Sequence, residues 1–395
     1  MTLLLASVTG NEEAGVALAH GADVIDLKDP AAGALRALPH DVVRAAVAAI
    51  AGRRPVSAVS GDLPMRPDVV TAAVEALAAT GVDYVKVGLF ADHGREDCIR
   101  ALAPLATRVK VVGVMFVDQG ADAALLPLMR ACGFFGAMLD TARKGAGRLL
   151  DHADITALGD FVAACRTHGL ASGLAGALEP PDIPRLLLLE PDYLGFRTAL
   201  CAGQHRGGRI DPQAVGVVRG LIPLDPRSAA NADTPAPKVD YRLLAARGYA
   251  FDADNEAPTD RIFVRDFVLP VRIGAYAHER AAPQRVRFNV DVGIFRAGHA
   301  VEDMRDVFSY DVIIDGIRVL VAREHFAFIE MLAECIAAFA LSHPRVSSVT
   351  VRVEKLEVGP GGVGVEITRE RSAEVAKVHH LYPAAVREVD PTTGG

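Results

Sequence analysis

The sequence has no tryptophan, no Cys-x-x-Cys pair, no unbroken apolar run long enough to cross a membrane and no excess of positive charge. Each absence excludes something. Without a run of about 18 apolar residues there is no candidate membrane span. With 42 Lys and Arg against 49 Asp and Glu, the net charge of −7 argues against nucleic acid as the main partner, since a phosphate backbone needs a basic face. Cys98, Cys132, Cys165, Cys201 and Cys335 form an odd, scattered set. That pattern suits reduced thiols in a cytoplasm, not a disulfide framework or a zinc cage. The opening Met1-Thr2-Leu3-Leu4-Leu5-Ala6 lacks the basic stretch and the length of a secretion signal. There is no His-Glu-x-x-His, catalytic-serine elbow or P-loop, so neither a metal nor a cofactor is expected, and His379-His380 reads as a solvated pair.

What is present is a folded chain. Of its 395 residues, 51% are hydrophobic and 23% charged, which at roughly 100–200 residues per domain gives two or three domains. One stretch, Pro223 to Pro258, is dense in Pro, Asp, Asn and Ala and reads as an exposed linker, with a possible short helix at Tyr241 to Tyr249. The expected divisions are a domain at 1–222, a linker at 223–259, a second domain at 260–371 and a polar tail at 372–395.

Before the linker, short β-branched runs alternate with alanine-rich amphipathic stretches. Strands are predicted at Leu3–Val8, Val24–Lys28, Pro55–Val59, Tyr84–Leu89, Lys110–Val117, Gly136–Thr141, Ala171–Leu174 and Tyr193–Phe196. Helices are predicted at Asp41–Ala51, Val69–Thr80, Asp122–Cys132 and Ile155–His168, among others. Eight strands alternating with helices predict an α/β fold closed as a (β/α)8 TIM barrel. The rival is an open doubly wound sheet, ranked second because no Gly-x-Gly-x-x-Gly turn follows the first strand. After the linker, strands Asp260–Ile273 and Val286–Phe295, helices Tyr310–Arg323 and Phe328–Leu341, and strands Ser347–Lys355 and Gly364–Arg369 predict an α+β domain with an antiparallel sheet.

Strands of a parallel barrel are buried on both faces, so their polar residues are informative. Asp26 and Lys28 share a face, Lys86 lies mid-strand between apolar neighbours, Asp140 closes a strand and Lys144 follows in the loop. All fall near strand C-terminal ends, where barrel active sites lie. A buried lysine beside other cations can supply a neutral amine that attacks a carbonyl. The bland alternative is rim-snorkelling lysines or buried ion pairs with Asp26 and Asp140. Two lysines with Asp140 and Lys144 at matching depth favour Schiff-base chemistry. Arg197, with Gly207, Gly208 and Arg209 in the following loop and Gly176 after the seventh strand, suits the phosphate cradle that barrels build there.

Asp23-Val24-Ile25-Asp26-Leu27-Lys28-Asp29-Pro30, Gly61-Asp62-Leu63-Pro64, Asp83-Tyr84-Val85-Lys86-Val87-Gly88-Leu89, Asp140-Thr141-Ala142-Arg143-Lys144 and Gly207-Gly208-Arg209-Ile210 resemble the (5-formylfuran-3-yl)methyl phosphate synthase family of methanofuran biosynthesis. The resemblance runs over about residues 1–222. It implies a (β/α)8 barrel that condenses two glyceraldehyde 3-phosphate molecules, one first isomerised, with loss of one phosphate and of water. It also implies that Lys28 forms the Schiff base, that Lys86 is an acid/base, and that Asp140 and Lys144 assist proton transfer. The two lysine roles could be exchanged.

In the second domain Glu279, Tyr310, Glu330 and Lys355 stand out. Taken singly, Glu330 is a dipole-complementing helix-start residue and Lys355 an edge-strand lysine. Together they resemble dihydroneopterin aldolase over about 260–371. That resemblance implies a tunnelling fold assembled into rings, so a homo-oligomer through this domain is expected. It implies that Glu330 anchors the pterin, that Lys355 and Tyr310 serve acid/base steps, and that Glu279 lies near the substrate across a subunit interface. The expected partners are small molecules, triose phosphates and a dihydropterin, with no nucleic acid and no membrane. The leading expectation is a bifunctional cytoplasmic enzyme. The alternative is a catalytic barrel with a second domain that only binds a pterin or builds oligomers.

Overall fold

The computed structural model describes residues 1–222 and 259–371, except 31, 32, 34, 144, 205, 275–278, 280, 281, 297–306, 324, 359 and 360. The expected linker helix and most of the linker, and the tail from 372, lie outside the described residues, as does Lys144. The described chain forms two compact units.

In the first, strands β1 (Leu3–Val8), β2 (Val24–Leu27), β3 (Val56–Val59), β4 (Tyr84–Gly88), β5 (Lys110–Phe116), β6 (Gly136–Asp140), β7 (Ala171–Leu174) and β8 (Tyr193–Phe196) form a closed parallel barrel. β8 pairs back onto β1, with Leu5 opposite Gly195, which excludes the open sheet. Every residue of β2, β3 and β4 is buried, because side chains fill the inside while helices cover the outside. Local chemistry starts the helices where the sequence has capping residues. Asp154 accepts the Ala157 N–H at 2.8 Å to open helix Ile155–Thr167, and Asp211 accepts the Gln213 N–H at 3.0 Å to open helix Pro212–Leu221.

One predicted helix is different. Asp122–Cys132 is a 3-10 turn, Ala123–Leu125, followed by a short helix, Leu126–Ala131. Pro127 explains the break: it has no N–H to bond back to the preceding turn, so it sits in the first turn of a new helix.

Inside the barrel, Val59, Val114, Phe116, Met138 and Ala175 form a buried cluster with Leu35, and Phe90 stacks on Phe116 at 4.9 Å between ring centres. The cluster has no spare volume at β8, where a Cβ on Gly195 would come within 2.9 Å of the Met138 terminal carbon.

The second unit is a four-stranded antiparallel sheet ordered β12 (Val363–Glu370), β11 (Val346–Lys355), β10 (Gln284–Phe295), β9 (Thr259–Val271). Val286, Phe288, Val290, Val292 and Ile294 alternate along β10 and are buried. Helices Tyr310–Arg323 and Ile329–Leu341 add Ile313, Ile317, Leu332 and Ile336 to the buried set. Of the intervening β10 positions, Arg285, Arg287 and Asp291 carry charge. Asp291 is held by Arg265 at 2.6 Å and by Arg261, and Arg287 reaches Glu354 at 2.9 Å.

Phe116→Ala is expected to destabilise the barrel by about 3–5 kcal/mol in urea unfolding. A loss below about 1 kcal/mol would contradict the packing described.

Candidate active sites

The centre of the barrel's polar cluster is Asp26, on the inward face of β2 and completely buried. Cross-strand register puts Ser7 of β1 and Ser57 of β3 directly beside it. The Ser7 hydroxyl donates to Asp26 Oδ2 at 3.0 Å and the Ser57 hydroxyl to Oδ1 at 2.5 Å. Lys86, 3% exposed on β4, places its Nζ 2.6 Å from Oδ2. Burial by itself would raise the Asp26 carboxyl. The charges of Lys86 and Lys28, with hydrogen bonds from Lys86 and Ser57, outweigh it and hold the group below its ordinary value. Asp26 is therefore an anion that fixes Lys86 in place. Lys28 follows β2 immediately and is also buried, its charge felt at Asp26.

Asp140 closes β6, is buried, and accepts the Thr141 N–H at 2.7 Å. The next turn is braced by Asp118, which accepts the N–H groups of Ala142 and Arg143 at 2.7 and 2.8 Å. Burial would raise the Asp118 carboxyl, and these two N–H groups more than reverse that. Gly176 packs against the same turn: its φ is +122°, and a Cβ there would lie 3.1 Å from the Thr141 methyl.

The expected phosphate cradle is arranged differently from the sequence reading. All five N–H groups of Arg197 are occupied by protein acceptors: Arg206 O at 3.1 Å, Ser7 O at 3.2 Å, Gly208 O at 2.7 Å, and both oxygens of Glu13 at 2.6 and 3.2 Å. Arg197 thus ties the β8 loop to β1 and to helix Asn11–Ala19. Glu13, which also accepts the Thr9 N–H at 2.9 Å, sits below its ordinary value, the Arg197 and Thr9 contacts overcoming burial. Arg209 is exposed and reaches Glu12 at 3.4 Å. Gly207 is exposed, and Gly208 contributes its carbonyl.

In the second unit Lys355, at the end of β11, places Nζ 2.6 Å from Glu279 Oε1, and both side chains are largely buried. Gln284 donates to the same oxygen at 3.3 Å and to Ile273 O at 2.6 Å. The carboxylate rests on Gly274, whose φ of +135° favours glycine and where a Cβ would displace the Glu279 carboxylate. Glu279 and Lys355, two of the residues expected to serve this domain's site, meet within one chain. Tyr310 and Glu330 stand at the first turns of their helices and are exposed. Ser7, Ser57, Glu13, Asp118 and Gln284 were not anticipated. For Ser7 and Ser57 a signal existed, a hydroxyl at an inward position of an otherwise apolar strand.

Among the described residues no group of three or more His, Cys, Asp or Glu could hold a metal ion, and no helix is long and apolar enough to cross a membrane.

Residues 4–219 match the family model described as 4-HFC-P synthase, and residues 262–368 match the model described as dihydroneopterin aldolase, FolB. A candidate (5-formylfuran-3-yl)methyl phosphate synthase of Methylorubrum extorquens is 44% identical over 227 residues, covering 58% of this chain and 94% of its own. The (5-formylfuran-3-yl)methyl phosphate synthase of Methanothermobacter thermautotrophicus is 35% identical over 232 residues, covering 56% and 98%. A crystal structure of dihydroneopterin aldolase from Burkholderia thailendensis bound to guanine is 31% identical, covering 29% of this chain and 93% of that one, with a TM-score of 0.26.

The lowered Asp26 carboxyl has a sign. Its stabilising contribution is complete above the unfolded carboxylate range, near pH 4, and is lost as pH falls below it. Asp26→Asn leaves Lys86 buried without its counter-charge, so a loss of about 3–5 kcal/mol at neutral pH is expected. The acid-induced loss of stability below about pH 4 should also become shallower. A variant with wild-type stability and an unchanged acid slope would contradict this account.

Proposed function

The chain belongs to the 4-HFC-P synthase family through residues 4–219, and from that premise we propose that its barrel condenses two triose phosphates through a Schiff base. The observation that carries the reading is the contact of Lys86 with Asp26 at 2.6 Å, buried beside Lys28 at the C-terminal end of the barrel. Lys28 gives up its proton as substrate enters, its neutral amine adds to the carbonyl of one triose phosphate, and the carbonyl oxygen takes up protons and leaves as water, giving an iminium that acidifies the adjacent carbon. Lys86, oriented by Asp26, delivers and removes protons at that centre. Asp140 and Lys144 serve the isomerisation and the later loss of phosphate and water. The product is (5-formylfuran-3-yl)methyl phosphate, a methanofuran precursor. Exchange of the roles of Lys28 and Lys86 keeps the same chemistry. Five cysteines that form no disulfide suit a reducing cytoplasm.

In the second unit the Lys355–Glu279 pair is suited to acid/base work, and the match to the aldolase family model supports cleavage of a dihydroneopterin side chain to a hydroxymethyl dihydropterin. Glu330 would anchor the pterin and Tyr310 assist a proton step. Both edges of the sheet, β9 and β12, expose apolar residues (Phe263, Val268 and Val363), which supports assembly of copies through this unit. Those exposed edges also favour a second reading, in which the unit only assembles the enzyme and binds a pterin.

Purified full-length protein given glyceraldehyde 3-phosphate is expected to release a furan aldehyde phosphate detectable by absorbance and mass, with the rate falling at least about 1000-fold in Lys28→Ala. No furan product from folded protein would overturn the barrel reading. Given dihydroneopterin, the protein should release glycolaldehyde, and Lys355→Ala should not. Binding without turnover would select the second reading.

A further inference from the structure

The condensation proposed above uses substrates that each carry a phosphate, and this inference rests on that reading. Three arginines belong to the β8 loop, and their surroundings differ. Arg197 has no N–H left to offer a ligand. Arg209 is exposed and faces Glu12. Arg206 is half-buried, and among the described residues no carboxylate forms an ion pair with it. Its Nε donates to Pro30 O at 3.1 Å and its Nη2 to Gly33 O at a long 3.5 Å. Its Nη1 has no acceptor among the described residues.

This position is informative. Pro30 lies two residues beyond Lys28, so the guanidinium spans from the β8 loop to the loop that leaves the proposed nucleophile. Asp140, at the end of β6, is close enough for its charge to act on Arg206 across the C-terminal face. Burial and the neighbouring Arg197 both disfavour the Arg206 cation, and Asp140 only partly offsets them. A partly desolvated guanidinium with unused N–H groups and no carboxylate of its own is under-compensated, and an incoming dianion would relieve it. A guanidinium fork also matches two phosphate oxygens, which an ammonium cannot do.

We propose that Arg206, and not Arg197 or Arg209, is the specificity-determining residue that binds the phosphate of the triose whose carbonyl reacts at Lys28. Through its bond to the Pro30 carbonyl, Arg206 stands beside the loop that follows Lys28.

The test uses the full chain with Arg206→Met and Arg206→Lys, followed by steady-state furan formation from glyceraldehyde 3-phosphate and competition by inorganic phosphate. Arg206→Met is expected to raise KM about 10- to 100-fold with kcat changed by no more than about threefold. It should weaken inorganic phosphate by a similar factor. Arg206→Lys should fall between wild type and Met in both. A drop in kcat with the phosphate inhibition constant unchanged would make Arg206 a structural clip only and overturn the proposal, as would no change in either. If Arg206→Met fails to fold, Arg206→Lys decides: several-fold weaker phosphate supports the proposal and wild-type phosphate binding overturns it. If wild type forms no furan, the condensation reading fails. The inference is then still decided by phosphorus NMR of inorganic phosphate with wild type and variants, where loss of binding in the variants supports it and equal or absent binding overturns it.

Discussion

An ionised carboxylate at the centre of a barrel is costly unless it is compensated from several sides, and Asp26 sets that requirement for the whole first unit. Its two oxygens draw a hydroxyl from β1, a hydroxyl from β3 and an ammonium from β4, so three neighbouring strands are fixed to β2 by one side chain. The apolar residues that line the rest of the interior, Val59, Val114, Phe116 and Met138, keep water from competing for those bonds. The surrounding loops follow the same principle. Asp118 holds the turn after β6, Asp62 accepts the Leu35 N–H at 3.0 Å in the loop after β2, and Glu13 with Arg197 holds the loop after β8. The lysine cluster is thereby built on side chains whose own positions are already determined.

Much of this arrangement was legible in the sequence because it depends on local pattern. Short β-branched runs between alanine-rich stretches placed eight strands within a residue or so of their observed limits, and buried polar exceptions marked Asp26, Lys28, Lys86 and Asp140 as the residues to explain. What could not be read depends on partners distant along the chain. Arg197 looks like an anion ligand beside glycines, yet its N–H groups are taken by Glu13 and Ser7, residues at the other end of the barrel sequence. Asp118 and Asp62 look like ordinary loop acids until their backbone partners are known. The Asp122–Cys132 stretch has helical periodicity throughout, and Pro127 divides it by a backbone rule that periodicity does not capture.

The second unit shows the same logic on a smaller scale. Glu279 and Lys355 are 76 positions apart, and they meet because Gly274 leaves room for the carboxylate and Gln284 holds it. The sheet beneath buries Val286, Phe288, Val290 and Val292 on one face and pairs Asp291 with Arg265 and Arg287 with Glu354 across strands on the other. One chain thus joins a region matching the 4-HFC-P synthase model to a region matching the dihydroneopterin aldolase model.

The proposed condensation requires covalent carbonyl chemistry at the compensated lysine cluster around Asp26. Borohydride reduction of full-length protein in the presence of glyceraldehyde 3-phosphate or dihydroxyacetone phosphate, followed by peptide mass mapping, tests it most directly. The account predicts a reduced triose phosphate adduct on Lys28, with an adduct on Lys86 preserving the mechanism and exchanging the two roles. Folded protein with no adduct on either barrel lysine would contradict it.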